Sequence, residues 1–449
     1  MKKRVIINIV ALHGALFCCA QAVVAWEHHP LVTEPVVATM PEVAEAPLAE
    51  AVPLEAFLLA VEEDLAELLA REEAWARSNL SWYAPRPDAL AFEATGNAED
   101  VRDRFFRAIR INPNTKTPLY LAALADEAEG AKRLLDPGEV SNLEDTSWLS
   151  AFDFTELSPG ELASPVDIVA TASNEPDYGM DVGLFTDNGT DFGQVFGFGV
   201  QAFGNPALDY GSQAPFHMGF YHEARIVFLF APFLKESYPE HRIHLFKSLS
   251  EFAFRQGCDY WGWRFMGWGL HTMADLSMPY HTTVLPGYST LRMLWINLLD
   301  MLGFSRLKDN AVQLVSNRHM AIETYQGIML ARASRNDEEA DPTIAALRQP
   351  RQIPPYTDSA PRKALARSSN AMAARLDKAI KRYMPAQFVS DPSVELADRP
   401  ERSQIVEMIE AAHGARAIAT LNCLQAEALS LFAVHGRSYV LAILGNAAR

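Results

Sequence analysis

The chain has 449 residues, 49% of them hydrophobic and 21% charged, with 27 Pro and 24 Gly, a globular balance that excludes the fibrous and disordered classes. Lys+Arg 39 against Asp+Glu 56 leaves a net charge of −17, which excludes a DNA-coating protein with a broad basic face. A polyanion would need a local site, such as one built from metal ions.

The first 25 residues carry Lys2, Lys3 and Arg4 and no acid. The uncharged, mostly apolar run Val5–Cys19 follows, then Val23 and Ala25 where a signal peptidase wants small residues. Cleavage after Ala25 is expected, giving an exported chain that starts at Trp26. The bland alternative is an uncleaved anchor, since Val5–Ala25 is about long enough to span a bilayer. A lipoprotein fits less well, because Phe17-Cys18 before Cys19 makes a poor lipobox. No later charge-free apolar stretch reaches 18 residues, so the mature chain is expected to be soluble, secreted or periplasmic.

Helical periodicity dominates from there on. Leu54–Arg77 repeats apolar residues at three- and four-residue steps with acids between them, and predicts an amphipathic helix. Ala98–Ile111 and Leu119–Leu135 are predicted as the next two, and Val166–Ala172 precedes a glycine-rich stretch over 173–215. Helices are predicted again at His222–Phe233, Arg242–Leu276, Thr290–Leu302, Asn310–Ala333, Ala364–Tyr383 and Gln404–Leu444. The Pro-rich segment Gln349–Arg362 reads as a surface connector. No alternating run is long enough to demand a sheet, so the expected class is all-α.

The mature chain would keep two cysteines, Cys258 and Cys423, which allow one disulfide or two inert thiols. Neither has a CxxC partner, so a metal site here would use His and carboxylate. No G-x-S-x-G supports a serine lipase, and no P-loop or GxGxxG supports a nucleotide cofactor.

The histidines are the informative residues. In YWGWRFMGWGLHTMADLSMPYHTT, His271 and Asp275 are four apart, so on a helix both reach one side. Pro279 marks the end of that helix and leaves His281 free to face elsewhere, a geometry suited to two neighbouring ions. His319 and Glu323 repeat the spacing in SNRHMAIETYQ. Twelve His among this many acids give about one or two such pairs by chance, so spacing alone carries no weight. The surroundings carry it: Asp275 lies in a Trp-rich apolar helix, where an unpaired carboxylate is costly. Gly262 and Gly269 on that helix read as close-packing positions. His241 and His244 read as solvated residues, and His413 and His435 as core or surface residues rather than ligands.

The string Leu270-His271-x-x-x-Asp275-x-x-x-Pro279-x-His281, with His319-x-x-x-Glu323 downstream, resembles the zinc-dependent phospholipase C / P1–S1 nuclease superfamily, and within it the secreted bacterial phospholipases C acting on phosphatidylcholine. The resemblance implies a multi-helix fold with three zinc ions and further ligands: the mature N-terminal Trp26, an early His (His28 or His29, with His29 preferred), Asp177 in SNEPDYGMD, and His217, with His222 as its alternative. One zinc would take Asp177, His217, His271 and Asp275, and a second His281, His319 and Glu323. A third would take Trp26, the early His and Asp275 as a bridge.

The resemblance covers Trp26–His29 and roughly 166–326. It implies a catalytic domain over 26–345, with a helical insertion at about 30–165, and a C-terminal helical extension over 346–449. Asp177 would orient or deprotonate the attacking water. Tyr178 is a candidate for stacking on a choline headgroup. The Phe-rich loop Leu184–Phe203 would either meet lipid or pack onto the helices. The implied activity is hydrolysis of phosphatidylcholine at a membrane surface to diacylglycerol and phosphocholine, with no preference for nucleic acid and no obligate protein partner. The rivals are a P1/S1-type single-strand nuclease and a non-catalytic helical interaction protein.

Overall fold

The computed structural model describes residues 28–125, 133–204, 209–336, 338–349 and 352–447, so the signal-like segment and Trp26 lie outside the described residues. Helix makes up 62% and strand 4%, which places the chain in the all-α class.

The fold is arranged around the central helix Asp259–Asp275, in which every residue from Tyr260 onward is buried. A helix apolar on all sides must be surrounded, and this one is. Helix Pro239–Arg255 folds back on it through Gly257 (φ 72°), and Pro165–Ala172 and Ala415–Ala447 cover other faces. Glycines permit the close approach: a Cβ at Gly267 would lie 2.6 Å from the Ala172 Cβ, and one at Gly269 1.9 Å from the Tyr439 hydroxyl. Gly262 likewise faces the Phe254 ring. Trp261 and Trp268 are fully buried, and each indole N–H finds an acceptor, the Val52 carbonyl at 2.8 Å and Glu175 at 2.6 Å.

Several predicted elements are divided in the structure. Leu54–Arg77 becomes Leu54–Ala60 and Glu62–Asn79, broken at Val61. Gln404–Leu444 becomes Ile405–His413 and Ala415–Ala447, broken at Gly414, whose φ of 70° is left-handed. His29–Val37, not anticipated because it carries Pro30 and Pro35, is a helix with Pro30 in its first turn.

The expected helix Leu119–Leu135 is a correction. Tyr120–Leu124 and Leu134–Leu135 are strands, each paired antiparallel with Phe152–Glu156, in a sheet with that strand at its centre. The Ala- and Leu-rich sequence favours helix locally, and strand pairing overrides it. The partner strand does alternate: Phe152 and Phe154 are buried, and Asp153 and Thr155 are less so.

The Phe-rich loop resolves in favour of packing. Phe185, Phe196 and Phe198 are buried with Phe216 and Tyr238 in a small cluster, and Phe203 is buried in a second one. They are not available to enter lipid. Residues from the expected insertion (Leu54, Phe105), the middle of the chain (Trp261, Trp268) and the C-terminal extension (Phe432, Tyr439) share one hydrophobic core. The helix Ala415–Ala447 is long and apolar enough to cross a membrane by length and composition, but half of its most apolar window is buried within the fold. Cys258 and Cys423 are free thiols, which answers the disulfide question.

Candidate metal centre

Eight buried side chains converge at the C-terminal end of the central helix. They form three groups able to hold a metal ion: His29, Asp177 and His271; His217, His271 and Asp275, which shares His271 with the first; and His281, His319 and Glu323.

Each ligand is aimed by its own local structure. The central helix presents His271 and Asp275 one turn apart, with His271 Nε2 3.3 Å from Asp275 Oδ2. His271 Nδ1–H donates to the Ser173 carbonyl at 2.8 Å, so in the neutral ring Nε2 carries the lone pair. That lone pair points at His217 Nδ1 (3.1 Å) and Asp177 Oδ1 (3.6 Å). Pro279 starts a one-turn helix, Pro279–Thr282, that turns His281 toward both halves of the centre. His281 Nδ1 lies 3.3 Å from Asp275 Oδ1, and Nε2 lies 3.3 Å from Glu323 Oε1. One imidazole thus spans the two carboxylates. His319 Nε2 approaches Glu323 Oε1 at 2.7 Å across one turn of helix Arg306–Arg335.

Asp177 sits in the turn Glu175–Tyr178, which ends at Gly179 with φ 95°. A Cβ at Gly179 would strike the Asn142 amide at 1.6 Å, so only glycine fits there. Asp177 faces His29 Nε2 at 3.6 Å and His217 Nδ1 at 3.7 Å. Of the two early histidines, it is His29 that enters the centre, its ring tilted against His271 at 4.0 Å centroid separation. Its backbone N–H donates to the Asn174 side chain. His28 points elsewhere, packing against Gly327 and Phe152.

The electrostatics favour cations. Burial, helped by neighbouring imidazoles, drives the His29 and His271 pKa values well below the ordinary value. Burial lowers His319 to about 3. For His217 burial acts in the same direction, but the charge of Asp275, with the hydrogen bonds the ring donates to Asp181 and Asp275, outweighs it and raises the group to about 10. Asp275 is held below its usual value, because His281, His217 and His29 together overcome its burial. The centre therefore gathers three carboxylates among imidazoles that are mostly neutral. Asp275 Oδ1 and His281 Nε2 are buried with no hydrogen-bond partner. His281 Nε2 faces Glu323, and Asp275 Oδ1 faces the opposite edge of the same ring, so each orphaned atom is placed where a divalent cation would satisfy it. The donor set, imidazole nitrogen with carboxylate oxygen, fits such an ion.

Three supporting residues were not singled out in the sequence. Asp181 stands 3.7 Å from His217 Nε2 and is itself ion-paired with the buried Arg242, so it steadies the far side of that ring. Glu175 accepts from Arg264 Nη2 (2.6 Å) and from Nε (3.0 and 3.1 Å), which ties the Asp177 turn to the central helix. Asp377, on helix Arg367–Tyr383, accepts from the Tyr280 hydroxyl at 3.2 Å and from Arg318 Nη1 at 3.1 Å, the residues just before His281 and His319. A buried Asp without a histidine at helical spacing gives no signal in a single sequence, which is why these were missed.

Two expectations are corrected. Tyr178 is 3% exposed and wedged against Trp148 and Phe154, with its hydroxyl accepting from Asn174, so it has no face to offer a headgroup. His241 and His244 are not solvated. Both are buried, His244 being stacked on Trp75 at 3.4 Å and paired with Glu72 at 2.7 Å. His222, the alternative to His217, bonds the Arg362 carbonyl at 2.7 Å, outside the centre.

Two cavities, of about 250 and 310 Å³, are lined by none of these eight side chains: the first by Trp82, Phe220 and Tyr221 among others, the second by Pro30 and Glu34 among others. Comparison with family models, with curated proteins and with solved structures gives no match, so the function has to be argued from these side chains.

Proposed function

We propose that the chain is an exported zinc phosphodiesterase of the phospholipase C type, cleaving phosphatidylcholine to diacylglycerol and phosphocholine. The observation that carries it is the convergence of His29, Asp177, His217, His271, Asp275, His281, His319 and Glu323, drawn from both halves of the chain, into one continuous set of donors. The first zinc would be held by Asp177, His217, His271 and Asp275, the second by His281, His319 and Glu323. His29 and Asp275 would serve the third, together with Trp26.

Zinc bound there would supply Lewis acidity toward a phosphoryl oxygen and a lowered pKa for water. The chain's own groups do the rest. Asp177, with one carboxylate oxygen toward His29 and the other toward His217 and His271, is placed to take the proton from an attacking water. Asp275 fixes the spacing of the two halves, since its oxygens face His281 on one side and His217 and His271 on the other. The Ser173 carbonyl and Asp181 hold the His271 and His217 rings in one orientation. No group in this arrangement is placed as a nucleophile, so direct attack by water fits without a covalent intermediate.

A second reading has one observation in its favour. The ligands are nearly enclosed, with even Glu323 only 6% exposed, as in a closed structural metal site in a non-catalytic helical protein. Purified full-length protein separates the two. Zinc content and release of phosphocholine from phosphatidylcholine vesicles are measured, with single-stranded DNA as the parallel substrate. The expected result is about three zinc per chain, lipid hydrolysis, and at least a hundredfold loss of it in Asp275→Asn. Zinc without hydrolysis of either substrate supports the structural reading, and DNA cleavage without lipid cleavage supports the nuclease. Less than one zinc per chain rejects all metal-based readings.

A further inference from the structure

Between the ligands His281 and His319 the chain builds a helix that faces the wrong way for a core element. In Thr290–Met301 only Met293 and Ile296 are buried, and they anchor it. Its outer face carries Leu291 (80% exposed), Trp295 (58%), Leu298 and Leu302 (64%), spaced four, three and four apart, which makes one continuous helical stripe. Phe304 and Leu307 extend it beyond the helix end, and both are exposed. Helix Arg225–Phe230 packs beside it and adds Leu229 and Phe230, also exposed. An apolar surface of this extent on an otherwise charged molecule marks a binding face.

The charge around the stripe identifies its occupant. The segments 223–236 and 289–309 contain five cations, Arg225, Lys235, Arg292, Arg306 and Lys308, against four acids, Glu223, Glu236, Asp300 and Asp309. Asp300 is bonded to Lys308 at 2.9 Å. Arg225, Arg292 and Arg306 are exposed. In a chain of net charge −17 this is a local reversal of sign. An apolar stripe with an exposed Trp, flanked by the exposed cations Arg225, Arg292 and Arg306, has the composition of a helix that lies in a phospholipid interface. The platform also connects to the metal centre. Met293 and Val227 share a small core with Ala214, Met218 and Phe220, the residues on either side of His217.

We propose that the face formed by Thr290–Leu307 and Arg225–Phe230 is a lipid-docking surface that seats the protein on a phospholipid bilayer beside the metal centre. The choice of lipid rather than a protein partner rests on the phospholipase reading as well as on the charge reversal.

The test uses the full-length protein and sedimentation with vesicles of phosphatidylcholine and phosphatidylglycerol. Two variants are compared with the wild type: the triple Leu291→Ser/Trp295→Ser/Leu298→Ser and the double Arg292→Glu/Arg306→Glu. Hydrolysis of a soluble phosphodiester, bis-p-nitrophenyl phosphate, is read in parallel. The triple variant is expected to lose vesicle partitioning at least tenfold. The arginine double variant should lose at least fivefold per residue on vesicles containing phosphatidylglycerol, less at high salt. Soluble turnover should be unchanged in both. Wild-type partitioning in both variants overturns the docking surface. So does a dimer that the triple variant converts to monomer while vesicle binding stays intact, because the face is then a self-association surface. If the wild type hydrolyses no phosphodiester yet partitioning follows the stripe, docking stands and the phospholipase reading falls.

Discussion

Arg264 grips both oxygens of Glu175, two residues before Asp177, and Trp268 donates to the same carboxylate. All three are buried, so removing the cation leaves an uncompensated charge in the core, at a cost of about 3–5 kcal/mol. Arg264→Met should therefore lower stability by that amount in urea melts, whereas replacing Arg264 and Glu175 together by Met and Gln should recover much of it. Asp377 acts one step from the ligands, through Tyr280 and Arg318. Asp377→Asn keeps the shape but weakens this clamp. Zinc affinity measured by competition with a chelator is expected to fall about 10–100-fold, with the fold retained by circular dichroism. His271, Asp275, His281, His319 and Glu323 were legible as candidates because an apolar helix around Asp275 and a motif resemblance singled out pairs that helical spacing alone, common by chance, could not. Tyr178 was misjudged because adjacency to Asp177 says nothing about direction: in a tight turn, neighbouring side chains leave on opposite sides.

Element by element, legibility followed the source of the order. The helix at 259–275 was readable because a run of tryptophans and small residues has no stable place except the middle of a helical core. The breaks at Gly257 and Gly414 were not read, since a lone glycine is compatible with a helix until the turn of the chain takes it to positive φ. The strand at Tyr120–Leu124 depends on Phe152–Glu156, some thirty residues later, and no local pattern could supply that pairing. Gly269 gives a direct test of close packing. Gly269→Val would drive a branched side chain into the Tyr439 ring, and thermal melts should show a loss of about 1–3 kcal/mol. Combining it with Tyr439→Ala should restore part of that, because the second change opens the space the first one needs.

For the molecule as a whole, the metal centre and the core are coupled. Three carboxylates gathered among buried imidazoles are a burden on the fold without cations, so EDTA should lower the melting temperature by several degrees, and zinc should restore it. Acid acts in the same direction. His319 stays neutral in the folded chain down to about pH 3, whereas an unfolded imidazole takes up a proton near 6.5. Between those values the unfolded chain binds more protons, so stability falls as pH drops from 6.5 toward 3. The chelator-treated protein should show that slope in urea melts across this range, and a flat profile would contradict the burial of His319. The ligands stretch from His29 to Glu323, and the Asp377 clamp comes later still. A chain growing on the ribosome has therefore emitted its first donor long before its last, and cannot complete the cage until most of its length is made. If it crosses a membrane as an extended thread, it must do so empty, and any ions the cage is to hold would have to be collected on the far side.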